Sequence, residues 1–219
     1  MARMARLVVP FYPHHVTQRG NRRQNTFFCE HDYRQYLDLL AEAKSTAGVD
    51  VWAYCLMPNH VHLVVVPEHQ DGLSALFGEA HRRYTRRVNL REGWRGHLWQ
   101  ERFHSFVMDE CHLISAVRYV ELNPVRAGIC ARAEEWPWSS AAAHLKGYDD
   151  GLVSVAPMLA RVQSWSSYLA TPDDRNSLDS IRRHTRTGRP VNTTGFIDKL
   201  ETLTGRCLRP RARGPKTGS

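Results

Sequence analysis

The sequence has no apolar run long enough to cross a membrane, very little lysine and no paired spacing among its cysteines. Each deficit removes a class of function. A spanning helix needs about 20 consecutive apolar residues, so a membrane-spanning helix is excluded. Cys29, Cys55, Cys111, Cys130 and Cys207 are scattered with no CxxC pair, which indicates neither a zinc knuckle nor a disulfide framework. The basic start, Met1 to Arg6, leads into Leu7-Val8-Val9, which Pro10 interrupts before it can form the core of a secretion signal. A soluble protein of a reducing cytoplasm is expected. Lysine is confined to Lys44, Lys146, Lys199 and Lys216, so the net charge of +8 rests on arginine.

Arginine makes bidentate contacts to phosphate and stacks on rings, so this bias points to nucleic acid, although a GC-rich genome would give part of the same excess. The clustering is more specific. Arg19, Asn21, Arg22 and Arg23 lie together, Arg82, Arg83, Arg86 and Arg87 surround Tyr84, and Arg206, Arg209, Arg211, Arg213 and Lys216 close the chain. Basic groups interleaved with aromatics suit single strands. The last cluster either reads bases or only attracts phosphates.

Two stretches carry chemistry. In Met57-Pro58-Asn59-His60-Val61-His62-Leu63-Val64-Val65-Val66, a two-residue turn opens an apolar, β-branched run. Alternation along a strand puts His60 and His62 on one face, where two imidazoles can meet one cation. The triplet alone would equally suit a hydrogen-bonded pair. The second stretch, Asp109 to Pro124, reads as a helix with Asp109 as N-cap and Pro124 as its stop. Leu113, Ile114, Val117 and Val120 make its apolar stripe, whereas His112, Ala116, Tyr119 and Asn123 share another face. Tyr119 is thus set off from the core stripe, with Asn123 one turn away and Ala116 keeping the surface low for a substrate.

The remaining pattern predicts a strand over His14 to Arg19, a helix over Asp32 to Ala47, strands on either side of Pro58-Asn59, a helix over Leu73 to Val88 and a strand over Phe103 to Met108 before the tyrosine helix. This βαββαβ order is that of a ferredoxin-like split βαβ fold, an α+β antiparallel sheet with helices on one face. Residues 1–146 form the expected catalytic domain. Residues 147–219 read as a helical extension, with helical patterns over Met158 to Leu169 and Phe196 to Leu203, ending in a basic tail that need not be ordered.

Val16-Thr17-Gln18-Arg19-Gly20-Asn21-Arg22, then Met57 to His62, then Tyr119-Val120-Glu121-Leu122-Asn123-Pro124-Val125-Arg126-Ala127-Gly128 together resemble the REP-associated tyrosine transposases. These are the single-tyrosine branch of the HUH endonucleases, and the resemblance spans residues 10 to 145. It implies cleavage and rejoining of single-stranded DNA through a covalent 5′-phosphotyrosine at hairpin-forming repeats, with a divalent metal. By the same resemblance Tyr119 is the nucleophile, His60 and His62 are metal ligands, and Asn123 is a further ligand. The partner is single-stranded or hairpin DNA, and the protein is a monomer or a homodimer.

The chemistry asks for these residue types. A tyrosine of ordinary pKa near 10 is about one part in a thousand phenolate at pH 7, a deficit of about 4 kcal/mol that a metal on the phosphate can offset. Mg²⁺ or Mn²⁺ fits the reaction, although imidazoles bind Zn²⁺, Ni²⁺ or Co²⁺ more tightly. The alternatives are a metal-dependent phosphodiesterase that uses water, and a catalytically silent DNA-binding regulator. His14, His15 and His104 are candidates for a third ligand or an acid. Trp94 and Trp99 are candidates for base stacking, at least one being expected in the core. Glu101 and Glu121 receive no role.

If the terminal cluster engages phosphates, each counterion it releases from a single strand adds about −0.7 to the slope of log affinity against log salt. Removing Arg209 to Ser219 is expected to flatten that slope, measured by titrating a hairpin oligonucleotide at several salt concentrations.

Overall fold

β-branched and aromatic residues crowd the segments on either side of Pro58-Asn59 so densely that both faces of the resulting hairpin need cover. The computed structural model describes residues 6–191 and 193–209. Its elements are β1 (His14–Arg19), α1 (Glu30–Ala47), β2 (Val49–Met57), β3 (His60–Pro67), α2 (Gly72–Glu92), β4 (His104–Val107) and α3 (Glu110–Glu121). Further helices follow: α4 (Asn123–Arg126), α5 (Ala141–Lys146), α6 (Ala156–Leu159), α7 (Trp165–Ala170), α8 (Arg175–Thr187) and α9 (Thr194–Thr204). The four strands form one antiparallel sheet in the order β2-β3-β1-β4, the ferredoxin-like arrangement.

The helices do not share one face. Val16, Leu56, Val61, Leu63 and Val65 pack with Leu39 and Leu40 of α1 and Leu76 and Phe77 of α2. On the reverse side Cys55, Met57, Val64 and Phe106 pack with Leu113, Val117 and Val120 of α3, joined by Met158, Trp165 and Ile181 of the extension. The single-face expectation fails because β2 and β3 are buried on both sides, and only a second layer can keep water from that apolar surface. The segment over Met158 to Leu169 is not one helix either. Ser164 caps α7 by accepting a bond from the Ser167 amide, and this separates α6 from α7.

Two local features bear on the site. Gly20 follows β1 where a Cβ would stand 2.3 Å from the Gln24 carbonyl oxygen, so only glycine permits this close approach. Arg22 and Arg23 then adopt φ of 54° and 61°, left-handed values that cost a side-chain-bearing residue roughly 1–2 kcal/mol each. The turn is held by Thr26 and Phe27 amides, which donate to the Pro58 carbonyl. Along the outer edge of β2, the Leu56 amide donates to Trp138 O at 2.8 Å and the Ser140 amide to Tyr54 O at 3.0 Å, so residues 138–140 run beside that strand.

His14 is fully buried; its Nδ1 donates to Tyr12 O at 2.8 Å and its Nε2 accepts from the Val9 amide at 3.1 Å. Burial pulls it down to about 4, partly offset by the Tyr12 bond. The folded state therefore keeps His14 neutral while the unfolded chain binds a proton below 6.5, so its contribution is complete above 6.5 and is lost as pH falls toward 4. His14→Gln, which keeps a donor and an acceptor, is expected to remove up to about 1.4 kcal/mol per pH unit from the acid slope of stability, measured by urea unfolding across that window.

Candidate active site

β3 opens at His60, and its alternation places His60 and His62 on the α3 side of the sheet. The register sets Arg19 of β1 opposite His60 and Thr17 opposite His62, with His104 of β4 beyond Thr17. The two imidazole centroids are 5.0 Å apart. His60 Nδ1 donates to Asn59 Oδ1 at 2.6 Å, and the Asn59 amide donates in turn to Arg23 O at 3.1 Å. His62 Nδ1 lies 3.0 Å from His15 Nε2. Burial, reinforced by the Arg19 charge, pulls His60 down to about 4. Burial pulls His62 well below its ordinary value, and His60, His15, Arg126 and Arg19 add to the shift. Both rings are neutral at pH 7, the form that ligates metal.

α3 begins where Asp109 accepts from the His112 amide at 2.9 Å, the cap read from the sequence. It carries Tyr119 to the histidines: the phenol ring meets His62 edge-on at 5.6 Å and His15 at 6.1 Å. Arg126 lies over the same ring, 4.4 Å from its centroid, and donates to the Tyr119 carbonyl. The expected helix stop is displaced. α3 ends at Glu121, and Pro124 lies in the first turn of α4, where its missing amide proton costs nothing. Asn123 thus starts a separate turn but still faces the tyrosine's cavity. Ala116 is fully buried against the sheet; it admits close helix–sheet packing rather than a substrate.

These residues fit a divalent cation. Nδ1 is engaged in both imidazoles, which leaves Nε2 of each as the ligating nitrogen. The Asn123 Nδ2 is buried without a hydrogen-bond partner, and a half-turn of that amide presents its oxygen instead. No cluster of three or more His, Cys, Asp or Glu side chains among the described residues is arranged for an ion; the Asn123 amide adds an oxygen donor to the two imidazoles on the same cavity.

A cavity of about 510 Å³ opens above this set. His60, His62, Tyr119 and Asn123 line it, together with Arg19, Gln18, Gln100 and His104, and α8 closes it with Arg182, Thr185 and Arg186. Of the sequence-predicted DNA contacts only Arg19 lies here. Asn21 donates to His97 O at 3.4 Å, and Arg22 and Arg23 are exposed on the strained turn. Arg82, Arg83, Arg86 and Arg87 are on α2, across the sheet; Arg82 pairs with Glu79 and Arg83 with Glu42. Arg209 pairs with Asp198 and Glu201 beside α9, while Arg211, Arg213 and Lys216 fall outside the described residues. Trp99 is buried against Tyr36 and His81, and Trp94 is exposed beside Phe28.

The family model described as "Transposase IS200 like" matches residues 9–123, just over half of the chain, and takes in β1, both histidines and Tyr119. The chain belongs to the IS200-like transposase family. It is 23% identical to the REP-associated tyrosine transposase of Escherichia coli (strain K12) over 121 residues, 55% of this chain and 70% of that protein. It is 27% identical over 99 residues to a putative REP-associated tyrosine transposase of Haemophilus influenzae, 40% of this chain and 56% of that one. A solved structure described as the REP-associated tyrosine transposase bound to a REP hairpin shares its fold, with a TM-score of 0.58 at 21% identity over 71% of this chain and 90% of that one.

The position of the tyrosine helix in this transposase rests on a residue to which sequence reasoning gave no role. Glu121 is fully buried and accepts hydrogen bonds from Ser140 Oγ at 2.6 Å, His144 Nδ1 at 2.6 Å and Trp165 Nε1 at 2.8 Å. Arg126, seven residues past Tyr119, was also missed, as were Arg182 and Arg186, since nothing local in the sequence says that α8 returns to the site. Glu121→Leu strands three buried donors and is expected to cost about 3–5 kcal/mol, with a smaller loss for Glu121→Gln; urea unfolding of the two variants measures the difference.

Proposed function

We propose that the chain cuts and rejoins single-stranded DNA at hairpin-forming repeats, with Tyr119 as nucleophile and a divalent cation, Mg²⁺ or Mn²⁺, held by His60, His62 and Asn123. The observation that carries this reading is the convergence of Tyr119 with both histidines and Asn123 on one cavity. When bound, the cation would neutralise and polarise the scissile phosphate. Tyr119 Oη attacks phosphorus and gives up its proton to water, the P–O3′ bond breaks, and the departing 3′-oxygen takes up a proton from water. The downstream strand is left on the enzyme as a 5′-phosphotyrosine. Attack by a 3′-hydroxyl reverses these steps, so the phosphodiester bond is conserved without a nucleotide cofactor.

The chain's own residues supply the rest. Arg19, Arg182 and Arg186 line the cavity with no carboxylate among the lining residues, a setting that holds phosphate oxygens in line with the phenol. Residues 1–146 act as the catalytic unit, and residues 147–219 add the α8 wall. Gln18 and Gln100 line both this cavity and a second one, of about 750 Å³, beside Arg82 and Arg86 of α2. A single strand can pass from one to the other past the C-terminal end of β1 while the turn bearing Arg22 and Arg23 meets a folded stem. The relative seen in complex with a REP hairpin supports hairpin DNA as the substrate class.

Incubation with 3′-labelled hairpin DNA tests the reading. Label is expected to remain on the wild-type protein through denaturation and to be lost in Tyr119→Phe, with DNA affinity changed less than about twofold because only the nucleophilic oxygen is removed. His60→Ala and His62→Ala are each expected to lose metal-dependent cleavage while remaining folded. Undiminished adduct in Tyr119→Phe overturns the assignment of the nucleophile, and cleavage without adduct in the wild type favours a water-using phosphodiesterase.

A further inference from the structure

His15 has no part in the reaction above, yet it is 1% exposed, among the most buried polar residues of the sheet face beneath Tyr119. It stands two residues before Thr17, the cross-strand partner of His62, so its side chain is a diagonal neighbour of His62 on the same face. Its Nε2 lies 3.0 Å from His62 Nδ1, and its Nδ1 lies 3.3 Å from Thr185 Oγ1 on α8. The two ring planes differ by 8° with centroids 5.2 Å apart. That separation is the span of the N···N contact plus a ring radius at each end, so the imidazoles meet edge to edge rather than face to face. The N–H and the lone pair of an imidazole lie in the ring plane, and this is the alignment a hydrogen bond between them requires.

A neutral imidazole has one N–H and one lone pair, so the protons along this row are linked. If His62 offers its Nε2 lone pair to a cation, its proton is on Nδ1 and is donated to His15 Nε2. The proton of His15 is then on Nδ1 and is donated to Thr185 Oγ1. The reverse order puts a proton on His62 Nε2, facing the cavity, and removes the lone pair. His60 has the equivalent support in Asn59, whose Oδ1 accepts its Nδ1 proton. An apolar residue at position 15 would fill the space but accept nothing.

We propose that His15 is a positioning residue for His62: backed by Thr185, it accepts the Nδ1 proton of His62 and holds that ring in the tautomer and orientation that leave Nε2 free for a divalent cation. The inference rests on the reading of His60 and His62 as ligands. It also gives the C-terminal extension a role, since α8 lies beyond the residues that match the family model. Through Thr185 the extension reaches the support of the metal site.

Mn²⁺ alone is the probe, and its free concentration is read by electron paramagnetic resonance during titration of the full-length protein without DNA. Removing such a support costs metal affinity about 10–100-fold in comparable sites. That loss is expected for His15→Phe, with most of the affinity restored in His15→Gln, whose Oε1 can accept the same proton. Thr185→Val is expected to give an intermediate loss. Thermal unfolding of metal-free protein is expected to separate His15→Phe from His15→Gln far less than Mn²⁺ affinity does. Wild-type affinity in His15→Phe, or equal losses in His15→Phe and His15→Gln, overturns the proposal; if His15→Phe does not fold, wild-type affinity in Thr185→Val does so. Unchanged Mn²⁺ binding in His62→Ala instead overturns the ligand reading on which it rests.

Discussion

The buried carboxyl group of Glu121 is the constraint on which the placement of the tyrosine depends. Taking a carboxyl group out of water is costly unless its oxygens find donors, and here the donors come from Ser140, from His144 on α5 and from Trp165 on α7. Ser140 also accepts from the Tyr54 amide at 3.1 Å, which ties the same node to β2. Helix, sheet and extension are thus fixed together at one point. Tyr119 and Glu121 are two residues apart, about 200° around the helix axis, so anchoring one on the interior turns the other toward the cavity. The precision of the site is set on the side of α3 that no substrate touches.

The parts of the molecule that were legible in the sequence are those written in local periodicity. The strand over His14 to Arg19 has the expected limits, the Pro58-Asn59 turn joins β2 to β3, and Asp109 caps the tyrosine helix. What escaped depends on register or on returns of the chain. Nothing in the neighbourhood of His15 tells that it meets His62; that follows from the pairing of β1 with β3. α8 was overlooked although a helical period is present: Leu178, Ile181 and His184 recur every three residues on one face, but only two of them are aliphatic. Its boundaries were nonetheless marked, by Asp174 at the start and Gly188 at the end. The second helical layer was implicit in the apolar runs Val51 to Met57 of β2 and Leu63 to Val66 of β3, which read as doubly buried because no charged residue alternates within them.

Charge is distributed in a way that composition alone does not convey. Several arginines outside the cavity are paired with carboxylates, as in Arg34–Glu30, Arg91–Asp32, Arg118–Asp173 and Arg161–Glu110. The cavity gathers Arg19, Arg182 and Arg186 around neutral imidazoles. A concave wall of low polarisability focuses the potential of such groups, so the field in the cavity is positive even where the overall surface is a mixture of signs.

The strip formed by residues 138–140 along β2 has a consequence for how copies of the chain behave together. An exposed sheet edge offers unpaired amides and carbonyls to any other extended chain. Here the Leu56 amide and the Tyr54 carbonyl are taken by the protein's own backbone, and β4 at the opposite edge is only four residues long. Neither border offers a long template for a foreign strand. At the β2 border the backbone groups that would template sheet extension are occupied by three residues that also deliver the Ser140 hydroxyl to Glu121.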